Sequence, residues 1–337
     1  MAGAKITIKD VAKEAGVSVA TVSRALNDAG RIDAQTKERI KRVIERLGYR
    51  PNSAAQSLKT QRTRNILLVV PDIVNPFYAN LARALQLLVK QKNYNLTLFN
   101  TNEALDEELS AIETAKEICA GGIVFASVSS YPCVLDALKS ASIPAVLLNS
   151  YGACEFDTVH GEVNVGTRVS TEYLIKNGHT RIAFAGAPED GTIGCSRKRG
   201  YIQALEKAGL HIDSRLIFEM GFSEEAGYQA GKYFSALQPR PSAICCANDI
   251  IAMGVLAALH EDGVRVPEDI SVTGMDNIIY ARISRPPLTS VTNDPQQFAV
   301  NAFTMLFDRI EQTYTGKPRE VILPRTLVVR ESAAPLK

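Results

Sequence analysis

No stretch of this 337-residue chain is long and apolar enough to span a bilayer. Met1-Ala-Gly-Ala-Lys5 leads directly into a helical pattern instead of a secretory leader, so the chain is expected in the cytoplasm. Cysteine chemistry is thin as well. Cys119, Cys133, Cys154, Cys195, Cys245 and Cys246 include no Cys-x-x-Cys pair, which favours buried, reduced thiols over a metal site or a disulfide framework. His160, His179, His211 and His260 are too far apart for metal-ligand spacing, and His179, following Asn177-Gly178, is assigned a structural role. A G-x-G-x-x-G after a strand, a P-loop and a G-x-S-x-G elbow are all missing. The expectation is no enzyme, no cofactor and no metal. A sugar-modifying enzyme stays open as a weak alternative, since carboxylates cannot be paired from sequence.

What is present is ordinary in amount, with 46% hydrophobic and 22% charged residues, and uneven in placement. The length suits two or three folded units. A net charge of +2 conceals 14 Lys/Arg against 6 Asp/Glu in residues 1–64, a head of +8 that leaves −6 for 65–337. Phosphate neutralisation favours such a head, although an acidic protein would also suit it. The pattern of residues 7–27 decides for nucleic acid. Ile8, Val11, Ala12 and Ala15 recur at helical spacing behind the N-cap Thr7, with Asp10 placed for a capping box. Gly16 breaks that helix, Ser18 caps the next, and Val22 faces inward while Val19, Ala20, Ser23 and Arg24 remain for a partner. Two helices across a Gly-containing turn make a helix-turn-helix.

The run D-V-A-x-x-A-G-V-S-x-x-T-V-S-R-x-L-N closely resembles the DNA-reading segment of the lactose/galactose repressor (LacI/GalR) family. Together, pattern and resemblance assign Thr7, Ser18, Val19, Ala20, Thr21, Ser23, Arg24 and Asn27 to DNA contact. Val19 and Ala20 suit thymine methyls but make no bidentate hydrogen bonds, which leaves Arg24 for guanine or phosphate. A third helix, capped by Asp33 and stopped by Gly48, completes the core with Ile40, Val43, Ile44 and Leu47. Y-x-P-N-x-x-A-x-x-L follows. By itself it is one or two marginal helical turns or a plain linker, but it resembles the same family's hinge helix. The resemblance implies Asn52 as a DNA contact, Leu58 wedged into the minor groove and Ala55 packed beside it.

From Asn65 short apolar runs (66–70, 96–99, 122–126, 145–148, 181–185, 243–247 and 270–274) alternate with amphipathic segments (78–90, 167–176, 200–208 and 250–261). Such alternation indicates doubly wound parallel sheets covered on both faces. The expected architecture is an all-α helix-turn-helix head with a hinge helix, then a two-lobed α/β effector domain like the periplasmic sugar-binding proteins. The expected domains are 1–50, the hinge and linker 51–64, and the effector domain 65–337. The resemblance implies crossings near 161 and 291, with an N-lobe of about 65–161 and 292–322 and a C-lobe of about 162–291 and 323–337.

Ligands of open parallel sheets bind at strand carboxyl ends. The segment there, Pro71–Tyr78, resembles the family's P-D-x-x-N-P-F-Y run, which implies Asp72, Asn75 and Phe77 as wall residues, although Asn75-Pro76 also reads as a helix-start turn. Asn149 ends the fourth strand, where the resemblance implies a polar ligand contact; Arg197 opens a segment similar to the family's R-x-x-G-[YFW] motif, Phe222 occupies the position of the aromatic platform it implies, and Asn248 and Asp276 complete the expected effector site. Asp249 is as well placed to cap a helix. Lys198 and Arg199 either meet a sugar phosphate or form a solvated face. His160-Gly161-Glu162-Val163-Asn164 departs from the family's V-x-x-D-N crossover, which puts a ligand contact there in doubt. The resulting expectation is a nucleoid-associated homodimeric regulator, most simply a repressor of a pseudo-palindromic operator, controlled by a sugar or sugar phosphate. A purine-like effector and a phosphoprotein co-regulator remain as alternatives. The chain's end, Ser332-Ala-Ala-Pro-Leu-Lys337, lacks an apolar heptad tail, which favours a dimer.

Overall fold

The Asp10 carboxylate accepts hydrogen bonds from the Thr7 backbone N–H at 2.8 Å and its hydroxyl at 2.7 Å, fixing the start of α1 (Ile8–Ala15). Gly16 ends that helix at φ 63°, a left-handed conformation that costs a residue without Cβ little, while the Val17 N–H returns to the Ala12 carbonyl. Ser18 Oγ takes the Thr21 N–H at 3.1 Å and opens α2 (Val19–Leu26). The Asp33 carboxylate starts α3 (Ala34–Leu47) in the same way, through the Thr36 N–H. Val11, Ala12, Ala15, Val22, Ile40 and Val43 form one buried cluster among the three helices. A core this small requires all three.

The computed structural model describes residues 6–26, 32–49, 63–126, 131–149, 155–162, 164–188 and 192–336. Asn27 and the hinge positions Asn52, Ala55 and Leu58 lie outside the described residues. The chain divides into two compact units, Met1–Thr63 and Arg64–Lys337.

The larger unit begins with β1 (Asn65–Val70), α4 (Pro76–Gln91), β2 (Asn95–Asn100), α5 (Leu105–Glu117), β3 (Gly122–Ala126), α6 (Pro132–Ala141), β4 (Ala145–Leu148) and β5 (Asp157–Gly161). It continues through α7 (Val165–Lys176), β6 (Ile182–Gly186), α8 (Thr192–Lys207), β7 (Ile217–Glu219), α9 (Glu224–Ala236), β8 (Ala243–Cys246) and α10 (Asp249–Glu261). Then come β9 (Ser271–Asp276), α11 (Ile279–Ile283), β10 (Thr289–Thr292), α12 (Pro295–Ile310), β11 (Glu320–Leu323) and β12 (Leu327–Val328). One sheet has the order β11-β5-β4-β3-β1-β2 and the other β12-β10-β9-β8-β6-β7. Neighbours pair in parallel except β10 with β12. The chain passes between the sheets three times: after β5, after β10, and between β11 and β12.

The run Ile66-Leu-Leu-Val-Val70 shows why the strands are buried on both faces. Ile66, Leu68 and Val70 pack with Leu81 and Leu85 of α4 and Phe298 and Leu306 of α12. Leu67 and Val69 point the other way, against Ile112 of α5 and Leu138 of α6. In the second lobe a single cluster gathers Phe184, Tyr201, Phe234, Ile244, Val255 and Leu259. Gly227 of α9 lies against the Ile251 backbone and Gly254 of α10 against the Glu224 carbonyl, an approach that a Cβ at either position would prevent.

One buried charge ties α12 and the approach to β11 to the rest of the first lobe. Asp157, at the start of β5, accepts from Arg309 at 2.8 and 3.0 Å, from the Arg319 guanidinium at 2.8 Å and from the Arg319 N–H at 2.7 Å. Burial alone would raise this carboxyl, yet the two guanidiniums hold it below its ordinary value. Two element bounds differ from expectation and matter for the site. α8 starts at Thr192, not Gly200, so Arg197 stands within a helix, and β9 runs on to Asp276. Among the described residues no helix is long and apolar enough to cross a membrane.

Candidate functional site

Two places gather the expected site residues. In the first unit, Val22 of α2 is fully buried, whereas Val19 is 41% exposed and Ala20 and Arg24 are exposed beside it. Thr21 and Ser23 are half-buried, and the Ser18 hydroxyl is 2.8 Å from that of Thr21. Thr7 is exposed but engaged by Asp10. The outward face of α2 is therefore small, largely apolar and carries one guanidinium. A flat profile of this kind enters a groove without obstruction.

In the second unit, a cleft of about 430 Å³ opens at the carboxyl ends of the strands, where the chain order switches between β1 and β3 and between β6 and β8. All eight expected effector residues line it: Asp72, Asn75, Phe77, Asn149, Arg197, Phe222, Asn248 and Asp276. Tyr78, Glu103, Ile193 and Asn293 line it as well, and sequence reasoning missed them. The only available signals were the Tyr78 that ends P-D-x-x-N-P-F-Y and the position of Asn293 at a chain crossing.

The centre of the cleft is Asp276, held at φ 99°, outside the usual range of a non-glycine residue. Its Oδ1 accepts from Asn293 Nδ2 at 3.1 Å and from Arg197 Nη2 at 3.4 Å. Burial raises its carboxyl above the ordinary value, against the pull of Arg197. Arg197 also donates to the Ala247 carbonyl at 2.5 Å and lies 5.3 Å from the Phe222 ring centre, so the aromatic platform already carries a cation on one face. Burial pushes the Tyr78 phenol up and keeps it a hydrogen-bond donor.

Several expected contacts prove to be partly structural. Asn248 caps α10 through the Ile251 N–H at 2.7 Å and donates to the Phe222 carbonyl at 3.2 Å, which occupies both ends of its amide. Asn75 Oδ1 caps α4 through the Phe77 N–H, and Asp72 Oδ1 takes the Val74 N–H. Phe77 is 3% exposed, edge-on to Tyr78 and Phe298, so its ring belongs more to the core than to the wall. Asp249 is neither cap nor cleft residue. It is buried, accepts from Ser290 Oγ at 2.6 Å and the Ile278 N–H at 2.8 Å, and so clamps the loop after β9. His179 bridges Ser242 and the Ala334 carbonyl, a structural position. The crossover after β5 contributes Glu162 and Asn164 to an adjoining cavity of about 300 Å³, with Ser196, Met275 and Arg325; Asn149, Ile193 and Arg197 are common to both. Among the described residues no group of three His, Cys, Asp or Glu could hold a metal ion.

Residues 7–52 match the family described as bacterial regulatory proteins, lacI family, and residues 171–333 match the periplasmic binding protein-like domain. Over 331 residues the chain is 34% identical to the HTH-type transcriptional regulator RegA of Clostridium saccharobutylicum, covering 97% of this chain and 98% of the relative. The chain belongs to the lacI family. The HTH-type transcriptional repressor PurR of Mannheimia succiniciproducens is 33% identical, across 97% of this chain and 98% of its own length. Among solved structures, the transcriptional regulator CelR–cellobiose complex is 29% identical with a TM-score of 0.74, covering 97% of this chain and 99% of that one. A lac repressor dimer bound to operator and the anti-inducer ONPF reaches 0.86 over 98% and 100%; at 24% identity it speaks for the fold alone. As a lacI family member the chain is a DNA-binding transcriptional regulator, and these relatives are regulators, not enzymes.

Proposed function

We propose that this lacI family regulator is a repressor that binds a pseudo-palindromic operator as a homodimer and responds to a sugar-class effector in the cleft between its lobes. The observation that carries the reading is the cleft itself, where carboxylates, amides and the Arg197 guanidinium surround an aromatic face at a topological switch point. Carboxylates and amide oxygens accept from hydroxyls, and the ring faces C–H groups. The cellobiose held by the CelR complex supports the same ligand class.

In the head, Val19, Ala20 and Arg24 read base edges, with Thr7, Ser18, Thr21 and Ser23 against the backbone, while Asn27, Asn52, Ala55 and Leu58 keep the roles their sequence assigns. One recognition helix per chain reads half a site, so two copies are needed. Exposed Ile279, Tyr280 and Ile283 of α11 and Leu87 of α4 supply apolar surface for a second copy. Effector and operator are then linked through the difference in ligand affinity between two arrangements of the lobes.

A thermal-shift screen of sugars and purines against the full chain tests the effector. At a concentration 100 times Kd a binder stabilises by about 2.7 kcal/mol, and a purine that outranks every sugar would replace the sugar reading. Selection of bound DNA from a random pool tests the operator, and recovery of sequences without dyad symmetry would reject the dimer–operator model.

A further inference from the structure

The start of α10 holds two strand ends beside the cleft. Asn248 donates to the Phe222 carbonyl, and the next residue, Asp249, reaches the end of β9. Asp249 is 1% exposed and lies over Gly274, where a Cβ would overlap its carboxylate. Beyond Gly274 the backbone is strained at two successive positions, Asp276 at φ 99° and Asn277 at φ 49°, both left-handed without being glycine. Such a pair persists only where its neighbours over-determine it.

Those neighbours converge on Asp249. The Asn277 N–H donates to Ser290 Oγ at 3.0 Å, and that hydroxyl gives its single proton to Asp249 Oδ1 at 2.6 Å. The Ile278 N–H donates to the other carboxylate oxygen at 2.8 Å, and Arg330 holds the Asn277 side-chain oxygen at 2.7 Å. One carboxylate thus fixes two consecutive amides, one directly and one through a hydroxyl. Before them stands Asp276, at the centre of the cleft. After them stands the Ile278 side chain, buried with Phe77 and Phe298 in the core of the first lobe, against which Ile250 of α10 also packs. An apolar spacer would fill the same space without the cost of burying a carboxyl, which burial here pushes well above its ordinary range. What an apolar spacer lacks is the pair of acceptors.

We infer that Asp249 is the positioning residue of the cleft: through Ser290 and the Ile278 N–H it sets the backbone of residues 276–278, and with it the aim of the Asp276 carboxylate and the seat of Ile278 in the first lobe. Effector affinity and the contact between lobes then depend on one carboxylate that does not itself line the cleft. The first consequence rests on the cleft being the effector site; the second does not.

The near-isosteric Asp249→Asn removes one of the two acceptors, and Asp157→Asn, at a buried carboxylate on the strand end away from the cleft, is the control. Titration calorimetry of the full-length proteins with cellobiose, glucose, ribose and hypoxanthine, alongside melting curves, separates positioning from bulk stability. Both variants are expected to lower the melting temperature, but only Asp249→Asn is expected to weaken whichever probe binds, by about tenfold or more. Ser290→Ala, which removes the hydroxyl alone, should reproduce that loss in smaller measure and decides the matter if Asp249→Asn does not fold. Amide hydrogen exchange of the ligand-free proteins reads the backbone itself. Asn277 and Ile278 should exchange at least about tenfold faster in Asp249→Asn and Ser290→Ala than in Asp157→Asn. Exchange there no faster than in Asp157→Asn overturns the inference, as does an Asp249→Asn protein that binds its probe with the wild-type Kd. Binding by no probe would remove the effector reading, and exchange alone would then decide the positioning role.

Discussion

On α2 the outward side chains of Val19, Ala20 and Arg24 make no hydrogen bond or ion pair with other described residues, whereas around the cleft Arg197, Asp276, Asn293 and Asn248 are bonded to neighbouring protein groups. The contrast follows from what each surface meets. A duplex supplies its own donors, acceptors and phosphates, so a reading helix needs a solid inner face and free outer groups. A small ligand supplies few groups, so its site is fixed beforehand by bonds among its own residues, which lowers the ordering cost of binding. Substitutions on the outward face of α2 should thus alter binding and not stability. Substitutions among the bonded residues of the body should alter stability, and in the cleft they should alter both.

The largest expected effect is on the body's most committed charge. Asp157→Ala leaves Arg309 and Arg319 facing each other without their shared carboxylate, at a cost of about 3 kcal/mol. Chemical denaturation of the larger unit should detect it, and a loss under about 1 kcal/mol would mean that solvent replaces the carboxylate. Arg24→Ala should weaken operator binding by about 1–3 kcal/mol, with the melting temperature and the effector response unchanged. A gel-shift titration at two salt concentrations checks it, and a shifted melting temperature would break the contrast from the head's side. Asp276→Ala removes the acceptor shared by Arg197 and Asn293 and should cost about 1–2 kcal/mol of stability together with effector affinity. Lost affinity with unchanged stability would place the cleft in the same class as α2.

The smallest effect is a pH dependence in the body. Burial holds the His179 imidazole below its ordinary value of 6.5, so the unfolded chain binds a proton that the folded chain does not. Its contribution to stability is complete above about pH 6.5 and is lost as pH falls through the folded value. Melting curves from pH 7.5 to 5 should slope downward, and less steeply in His179→Gln.

How much was legible in the chain depends on whether the signal was local. Caps, turns and the alternation of the head are written within a few residues, as in Thr7 with Asp10 and Gly16 with Val17. The central strands were equally plain because Ile66-Leu-Leu-Val-Val70 is apolar on both faces. β5, by contrast, reads Asp-Thr-Val-His-Gly and gave no strand signal, since its polar residues are satisfied by Arg309, Arg319 and Glu320, more than 150 positions away. The short β7, β10, β11 and β12 were not located by pattern either, the longest of them spanning four residues. In the cleft, the eight expected residues were found from loop position and family resemblance. That Asn248 uses both ends of its amide and that Phe77 belongs to the core could not be read, because their partners are remote in sequence or depend on rotamer.

The three crossings also have a consequence for synthesis. A ribosome delivers the chain from its N-terminus, so β1 to β5 emerge long before β11, the strand that covers the outer side of β5. Until Glu320–Leu323 arrives, β5 is an open edge, and until Arg309 and Arg319 arrive, Asp157 has no counter-charge. The first lobe therefore cannot finish folding while the second is being made. A carboxylate on an unpaired edge strand is unfavourable to bury and disfavours pairing with another chain. During that interval Asp157 would serve as a gatekeeper against aggregation, before it becomes the anchor of the finished lobe.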